Sequence, residues 1–300
     1  MSSGIITIDH LTKDYGKGRG IFDIDFSIPE GAVYGYVGTN GSGKTTTIRN
    51  IMGFIRPASG HALVKGYDAW KYQAELKNHI SYIPGEIEFP RFPTGTAFLD
   101  YQAKYLTKRD DRYRDQLIER LRLDPTADLR RMSKGMKQKT AIVAALMGDK
   151  EILIMDEPTT GLDPLMREEF LAMVREEKDR GKTIFMSTHI YEEVEAVCDK
   201  VVIIHKGHIV SELDLHDMEH QRRKKFILSF GSERDKEEFR DMWHERSEIE
   251  GKSLITHADK EELQDFFSIL KRFDVTGLRE EHLSLEEYFK SIYRGGTDNE

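Results

Sequence analysis

Gly38, Thr39, Asn40, Gly41, Ser42, Gly43, Lys44 and Thr45 follow one another between a short apolar run and a helix-forming one. Glycines at this density let successive backbone N–H groups turn inward on an anion, and the helix behind them adds the positive end of its dipole. Lys44 brings a point charge suited to the outer phosphates of a polyphosphate. The hydroxyl of Thr45 can ligate a divalent cation, and Thr46 extends the same helix start. The pattern is a Walker A loop, whose chemistry is capture of a nucleoside triphosphate by its phosphates.

Farther along, Ile152, Leu153, Ile154 and Met155 run straight into Asp156 and Glu157. Four apolar residues in a row suit a central strand buried on both faces. Two carboxylates at its end form a Walker B arrangement. Asp156 can hold Mg²⁺ through water, and Glu157 can polarise an attacking water. A helix cap would account for one acid there but not for both.

These groups need a scaffold that brings a loop and a strand end together. Residues 5–8, 21–28 and 33–37 lean to strand, with a glycine-rich turn at 16–20. A helix is expected over 44–52, stopped by Gly53 and Pro57. Residues 98–123 have helical spacing and heavy charge, and 137–147 form an apolar helix. Helices at 165–178 and 191–197 alternate with a strand at 183–187, and 201–205 pairs with 208–210 through Lys206 and Gly207. Alternation of this kind predicts an α/β fold with a mostly parallel sheet. Past about residue 219 the texture changes: 221–225 is polar and basic, either a linker or a solvated strand entrance. Strands at 226–230 and 253–257, with helices at 260–272 and 284–293, predict a small α+β appendage.

Composition narrows the function classes. With 38% hydrophobic and 33% charged residues the chain reads as a soluble globular protein with a core. A net charge of −8 provides no global attraction for nucleic acid, so none is expected as a partner. Cys198 is the only cysteine, so no intramolecular disulfide forms and a reducing cytoplasm is the expected compartment. The first residues lack the basic start and apolar stretch of a signal peptide. No apolar run approaches the ~18 residues of a membrane-spanning helix; the best, 141–147, is far shorter.

With these motifs in place, residues 1–220 resemble the nucleotide-binding subunit of ABC transporters, a P-loop NTPase fold. The family's signature loop corresponds to Met132, Ser133, Lys134, Gly135 and Met136, with Lys134 replacing a glycine and Met136 a glutamine. The resemblance implies an antiparallel N-terminal β part, a helical subdomain at about 88–145 and a C-terminal accessory region at 221–300. It further implies that Ser133 and Gly135 close on ATP held by a second subunit, as a homodimer or with a paralogue. Thr160, Gly161, Leu162 and Asp163 look like the D-loop that couples the two sites. His189 looks like the switch histidine that contacts the γ-phosphate, and Tyr15 like the aromatic that stacks on adenine. The family's loop glutamine would fall at Gly85, which has no side chain, so any contact to magnesium or water passes to Glu86. The stretch 282–289 resembles the end of ATPase subunits from drug- and peptide-exporting systems.

The implied function is the motor subunit of an exporter, binding and hydrolysing ATP with Mg²⁺ at the cytoplasmic face of a membrane beside separate membrane-spanning subunits. A soluble ABC-type ATPase acting on ribosomes or nucleic acid is the alternative. Its relatives carry two cassettes or long coiled coils, whereas this chain has one Walker A loop. A plain P-loop kinase would leave the signature loop, D-loop and His189 unexplained.

Overall fold

The computed structural model describes residues 4–106, 109–215, 217, 223–243, 247–251, 253–281, 285, 286 and 289. The chain clusters into two compact units, Met1–Asp214 and Leu215–Glu300.

The first unit begins with β1 (Ile6–Asp14), β2 (Gly20–Ile28) and β3 (Val33–Val37), then α1 (Lys44–Ile51). Next come β4 (Ser59–Val64), β5 (Tyr67–Asp68), α2 (Gln73–Leu76) and β6 (Ile80–Ile83). Helices α3 (Gly95–Ala103), α4 (Asp111–Arg120) and α5 (Lys134–Leu146) follow. The unit ends with β7 (Ile152–Asp156), α6 (Pro164–Asp179), β8 (Thr183–Thr188), α7 (Tyr191–Val197), β9 (Lys200–His205) and β10 (His208–Asp214). An antiparallel sheet runs β2-β1-β4-β5. A six-stranded sheet runs β10-β9-β3-β8-β7-β6, parallel except at β10.

Strands β3, β7 and β8 are buried at every residue, as expected for the middle of a parallel sheet covered on both faces. Phe26 of β2 meets Tyr36 of β3 and Phe185 of β8, each with ring centroids 5.7 Å apart, so the two sheets share one core with Ile48 and Ile51 of α1. This packing brings the C-terminal ends of β3, β7 and β8 together, where ligands bind in open α/β sheets.

The helical stretch expected over 98–123 comes as two helices. Asp110 caps α4 by accepting from Tyr113 N, and α3 has already ended at Lys104. Helix α4 is tied to α6: the Tyr113 hydroxyl donates to Glu177 Oε1 at 2.6 Å, and Arg120 bonds Glu169 and Glu176. Helix α5 starts earlier than its apolar pattern suggests, because Ser133 Oγ accepts from Met136 N at 3.2 Å and caps it.

The second unit contains β11 (Arg223–Phe230), α8 (Glu233–Trp243), β12 (Ser247–Glu250), β13 (Ser253–Asp259), α9 (Leu263–Leu270) and β14 (Val275–Glu281). Its sheet order, β12-β13-β11-β14, is antiparallel throughout, the arrangement of a βαββαβ split fold. Phe226, Leu228, Phe239, Leu254, Ala258, Phe266 and Leu270 form a separate core. One turn of 3₁₀ helix, Lys260–Glu262, stands where the expected helix at 260–272 began. Most of the expected terminal helix at 284–293, including most of the 282–289 stretch, lies outside the described residues.

Candidate functional site

β3 delivers the chain into the glycine loop, and α1 takes it away at Lys44. Gly43 sits at φ 115°, a left-handed conformation that a side chain would resist. Buried Tyr36 holds the first turn of α1 through a 3.1 Å hydrogen bond between its hydroxyl and that of Thr47. From the other side, Gly207 N in the β9–β10 turn donates to Ser42 O at 2.9 Å.

Lys44 is only 5% exposed. Its ammonium donates to Gly38 O at 2.7 Å and Thr39 O at 3.3 Å, and pairs with Glu157 Oε1 at 3.3 Å. A buried cation held this way is poised for a stronger anion, because carbonyls and one carboxylate are all that balance it. A cavity of about 520 Å³ opens beside it. Asn40, Gly41, Gly43, Lys44, Thr45 and Thr46 line one wall. Asp156, Glu157, Pro84, Gly85 and Glu86 also line the cavity, as do Tyr15, Arg19, Gly20, Arg49 and Tyr82. Tyr15, 49% exposed, stands on the β1–β2 hairpin, where Tyr15 N donates to Arg19 O at 2.8 Å. Burial, with the Asp156 carboxylate nearby, pushes the Tyr82 phenol up to about 12, so it remains a neutral donor.

The two acids at the end of β7 have different surroundings. Asp156 is buried; its Oδ1 accepts from Ser187 Oγ at 2.5 Å, while its Oδ2 has no hydrogen-bond partner among the described residues. A buried carboxylate oxygen without a donor fits a hard divalent cation, and the Thr45 hydroxyl lines the same cavity. A Cβ at position 85 would lie 3.2 Å from that oxygen, so glycine leaves the space beside it clear. Glu157 adopts φ 47°, a strained conformation for a non-glycine residue and of the kind that clusters at functional sites. Ser187 O and Oγ hold its N–H at 3.0 and 3.2 Å. Its second oxygen faces His189 Nδ1 at 3.4 Å, with the imidazole 47% exposed.

Of the expected site residues, Gly38, Thr39, Ser42, Ser133, Gly135, Asp163 and His189 do not line this cavity. Asp163 caps α6 by accepting from Met166 N at 3.0 Å. Gly135 packs so closely on the Asp163-bearing turn that a Cβ would come within 2.7 Å of Gly161 O. Gln138 of α5 donates to Pro158 O at 2.6 Å, fastening the same turn. Sequence reading missed Ser187, Arg19, Arg49 and Tyr82. Ser187 was legible only as a strand residue, since its partner is distant in sequence.

A cavity bounded by a glycine loop at a strand–helix junction and a second strand ending in two acids defines a P-loop nucleotide site on an α/β sheet. A family model described as ABC transporter matches residues 21–160. The chain is 35% identical to the bacitracin transport ATP-binding protein BcrA of Bacillus licheniformis, covering 74% of each. It is 34% identical to the Nod factor export ATP-binding protein I of Rhizobium meliloti, over 69% of this chain and 63% of that one. A solved ATP-binding subunit of an ABC transporter superposes with a TM-score of 0.65 at 30% identity, over 72% of this chain and 92% of that one. The chain belongs to the ABC transporter ATP-binding family. It is an ATPase subunit of that class.

Proposed function

We propose that this chain is the motor subunit of an exporter, in which ATP closes a dimer of cassettes and hydrolysis reopens it. The observation carrying this reading is the convergence of buried Lys44, strained Glu157 and the unpartnered Oδ2 of Asp156 on one cavity. In this reading residues 1–220 are the nucleotide-binding domain and 221–300 an accessory region. Tyr15 stacks on adenine, while the backbone of Gly38 to Thr46 and the Lys44 ammonium take the phosphates. Thr45 and Asp156 would hold Mg²⁺, which when bound neutralises phosphate oxygens as charge moves to the leaving group. Glu157 orients and polarises the attacking water, and His189 steadies the γ-phosphate. Ser133, Gly135 and Asp163 act from the facing subunit, a second copy or a paralogue.

The export direction is supported by relatives named for bacitracin transport and Nod factor export. Among the described residues no helix is long and apolar enough to cross a membrane. In this reading the path for cargo belongs to separate membrane-spanning subunits. The working place is then the cytoplasmic face of the membrane. Glu157→Gln keeps the shape but removes the base, so it should bind ATP, hydrolyse it at least about a hundredfold more slowly, and accumulate as a dimer. Size exclusion with and without ATP reads this. A variant that turns over at the wild-type rate removes Glu157 from the chemistry. Copurification with membrane subunits and cargo efflux from cells tests the exporter reading.

A further inference from the structure

The turn that follows β7 and the turn that carries His189 share one buried carboxylate. Glu193 of α7 is 1% exposed. Its Oε1 accepts from the Thr159 hydroxyl at 2.6 Å, and its Oε2 from the Thr188 hydroxyl at 2.8 Å. Arg167 of α6 stands 3.4 Å from Oε1 without hydrogen-bond alignment, and supplies the compensating charge. The Thr188 hydroxyl in turn accepts from Ile190 N at 3.0 Å, so the backbone on both sides of His189 is fixed through this oxygen. Thr159 belongs to the turn whose carbonyl accepts from Leu162 N at 3.0 Å, one residue before Asp163.

A charged group in this position is costly unless every oxygen is matched. Glu193 is matched by two hydroxyls and a guanidinium from separate elements, an arrangement that specifies geometry. We propose that Glu193 is a positioning residue for ATP hydrolysis, locking the His189 turn and the turn ending at Asp163 into a single register. The proposal rests on the reading that His189 attends the γ-phosphate. Hydroxyl groups can turn, and the carboxylate decides which way they point. Without it, Thr188 loses its acceptor, the peptide around His189 is released, and the Asp163 turn no longer reports the state of the histidine. Both Glu193 oxygens are taken up by Thr159 and Thr188, so it acts on the rate through others rather than on nucleotide capture.

The test uses the full chain with Glu193→Ala, Glu193→Gln, Thr188→Val and His189→Ala, alone and in pairs with His189→Ala. Steady-state kcat and KM, affinity for labelled ATP, and the melting temperature are measured. Glu193→Ala is expected to lower kcat about ten- to a hundredfold, the scale of a small misplacement of a reacting group. ATP affinity should stay within about twofold, since no phosphate contact is touched. Glu193→Gln should recover part of the rate, because the amide oxygen can still accept from Thr188. Thr188→Val, which leaves Glu193 with Thr159 and Arg167, should lose kcat in the same pattern, and it carries the test if Glu193→Ala does not fold. Pairing Thr188→Val with His189→Ala should be no slower than His189→Ala alone, since the Thr188 loss passes through that histidine. Wild-type kcat in Glu193→Ala and Thr188→Val, or a Thr188→Val loss that multiplies with His189→Ala, would overturn the proposal. A full rate in His189→Ala would overturn the underlying reading of the histidine and this inference with it. Full rates at 188 and 193 beside a slow His189→Ala overturn this inference alone.

Discussion

Lys44 shows how one side chain can be kept ready without its ligand. Its ammonium is buried on two loop carbonyls and the Glu157 carboxylate, so an arriving polyphosphate exchanges weak partners for strong ones. Lys44→Ala deletes a charge-assisted contact of about 1.5–3 kcal/mol, so affinity for labelled ATP should fall roughly tenfold or more. An unchanged titration would remove the loop from phosphate binding. Position 85 makes a second case. Asp156 Oδ1 is pinned by Ser187, so its carboxylate cannot swing aside when a methyl arrives 3.2 Å from Oδ2. Gly85→Ala should therefore raise the magnesium needed for half-maximal ATPase about tenfold, as for other disturbances around a metal ligand. Glu86→Gln, changed in the cavity lining, shares that effect only if Glu86 reaches the metal. Magnesium curves of the two variants, set beside wild type, separate the roles. An unshifted curve in Gly85→Ala would deny Asp156 its place as a ligand.

At the scale of elements, α5 is the piece with two tasks. Ser133 caps it, Gly135 presses it onto the turn at Gly161, and Gln138 bolts it to Pro158. A substitution at Ser133 therefore mixes helix stability with any role across the dimer, and the two can be parted by charge. Aspartate caps helices about as well as serine, so Ser133→Asp should keep the melting temperature within a few degrees. Its negative charge would meet the γ-phosphate of the facing subunit, so hydrolysis should be lost while monomer ATP affinity stays near wild type. Ser133→Arg should lose hydrolysis too, and in addition the cap, worth about 0.5–2 kcal/mol. If ATP affinity in Ser133→Asp falls as far as in Lys44→Ala, the serine serves its own chain's nucleotide and the cross-dimer reading fails.

For the whole molecule, two separate cores imply two melting events. One core joins the two sheets of the first unit, and the other fills the βαββαβ unit. Every residue lining the nucleotide cavity belongs to the first unit. ATP with magnesium at a hundred times its dissociation constant stabilises the state that binds it by about 2.7 kcal/mol, or roughly 5–10 °C for a domain of this size. Calorimetry of Glu157→Gln, which does not consume the ligand, should show one transition rising by that amount and a second unmoved. A single transition that shifts as a unit would show that the two cores melt cooperatively.

What the sequence determined by itself is what depends on neighbours in the chain. The glycine loop, the apolar strand ending at Asp156 and Glu157, and the β9–β10 hairpin through Lys206 and Gly207 each follow from local backbone preferences and patterning. Tertiary structure decided what depends on meeting across distance. Helix α8 was not legible because its sequence is mostly charged; it is held by Phe239 entering a core built from other strands. Strand β14, polar along much of its length, exists by pairing with β11. The break between α3 and α4 was set by the Asp110 cap, against a helical spacing that runs across it. For the proposed site, the sequence singled out Lys44, Asp156, Glu157 and His189, while folding chose their partners. Ser187 reached Asp156, Gly85 cleared the space beside it, and Glu193, which reads as one more solvated helix acid, became a buried bridge. The physical reason is common to all of these. A hydrogen bond or ion pair gains its strength from burial, and burial is a property of the assembled sheets and helices that no short stretch of sequence carries.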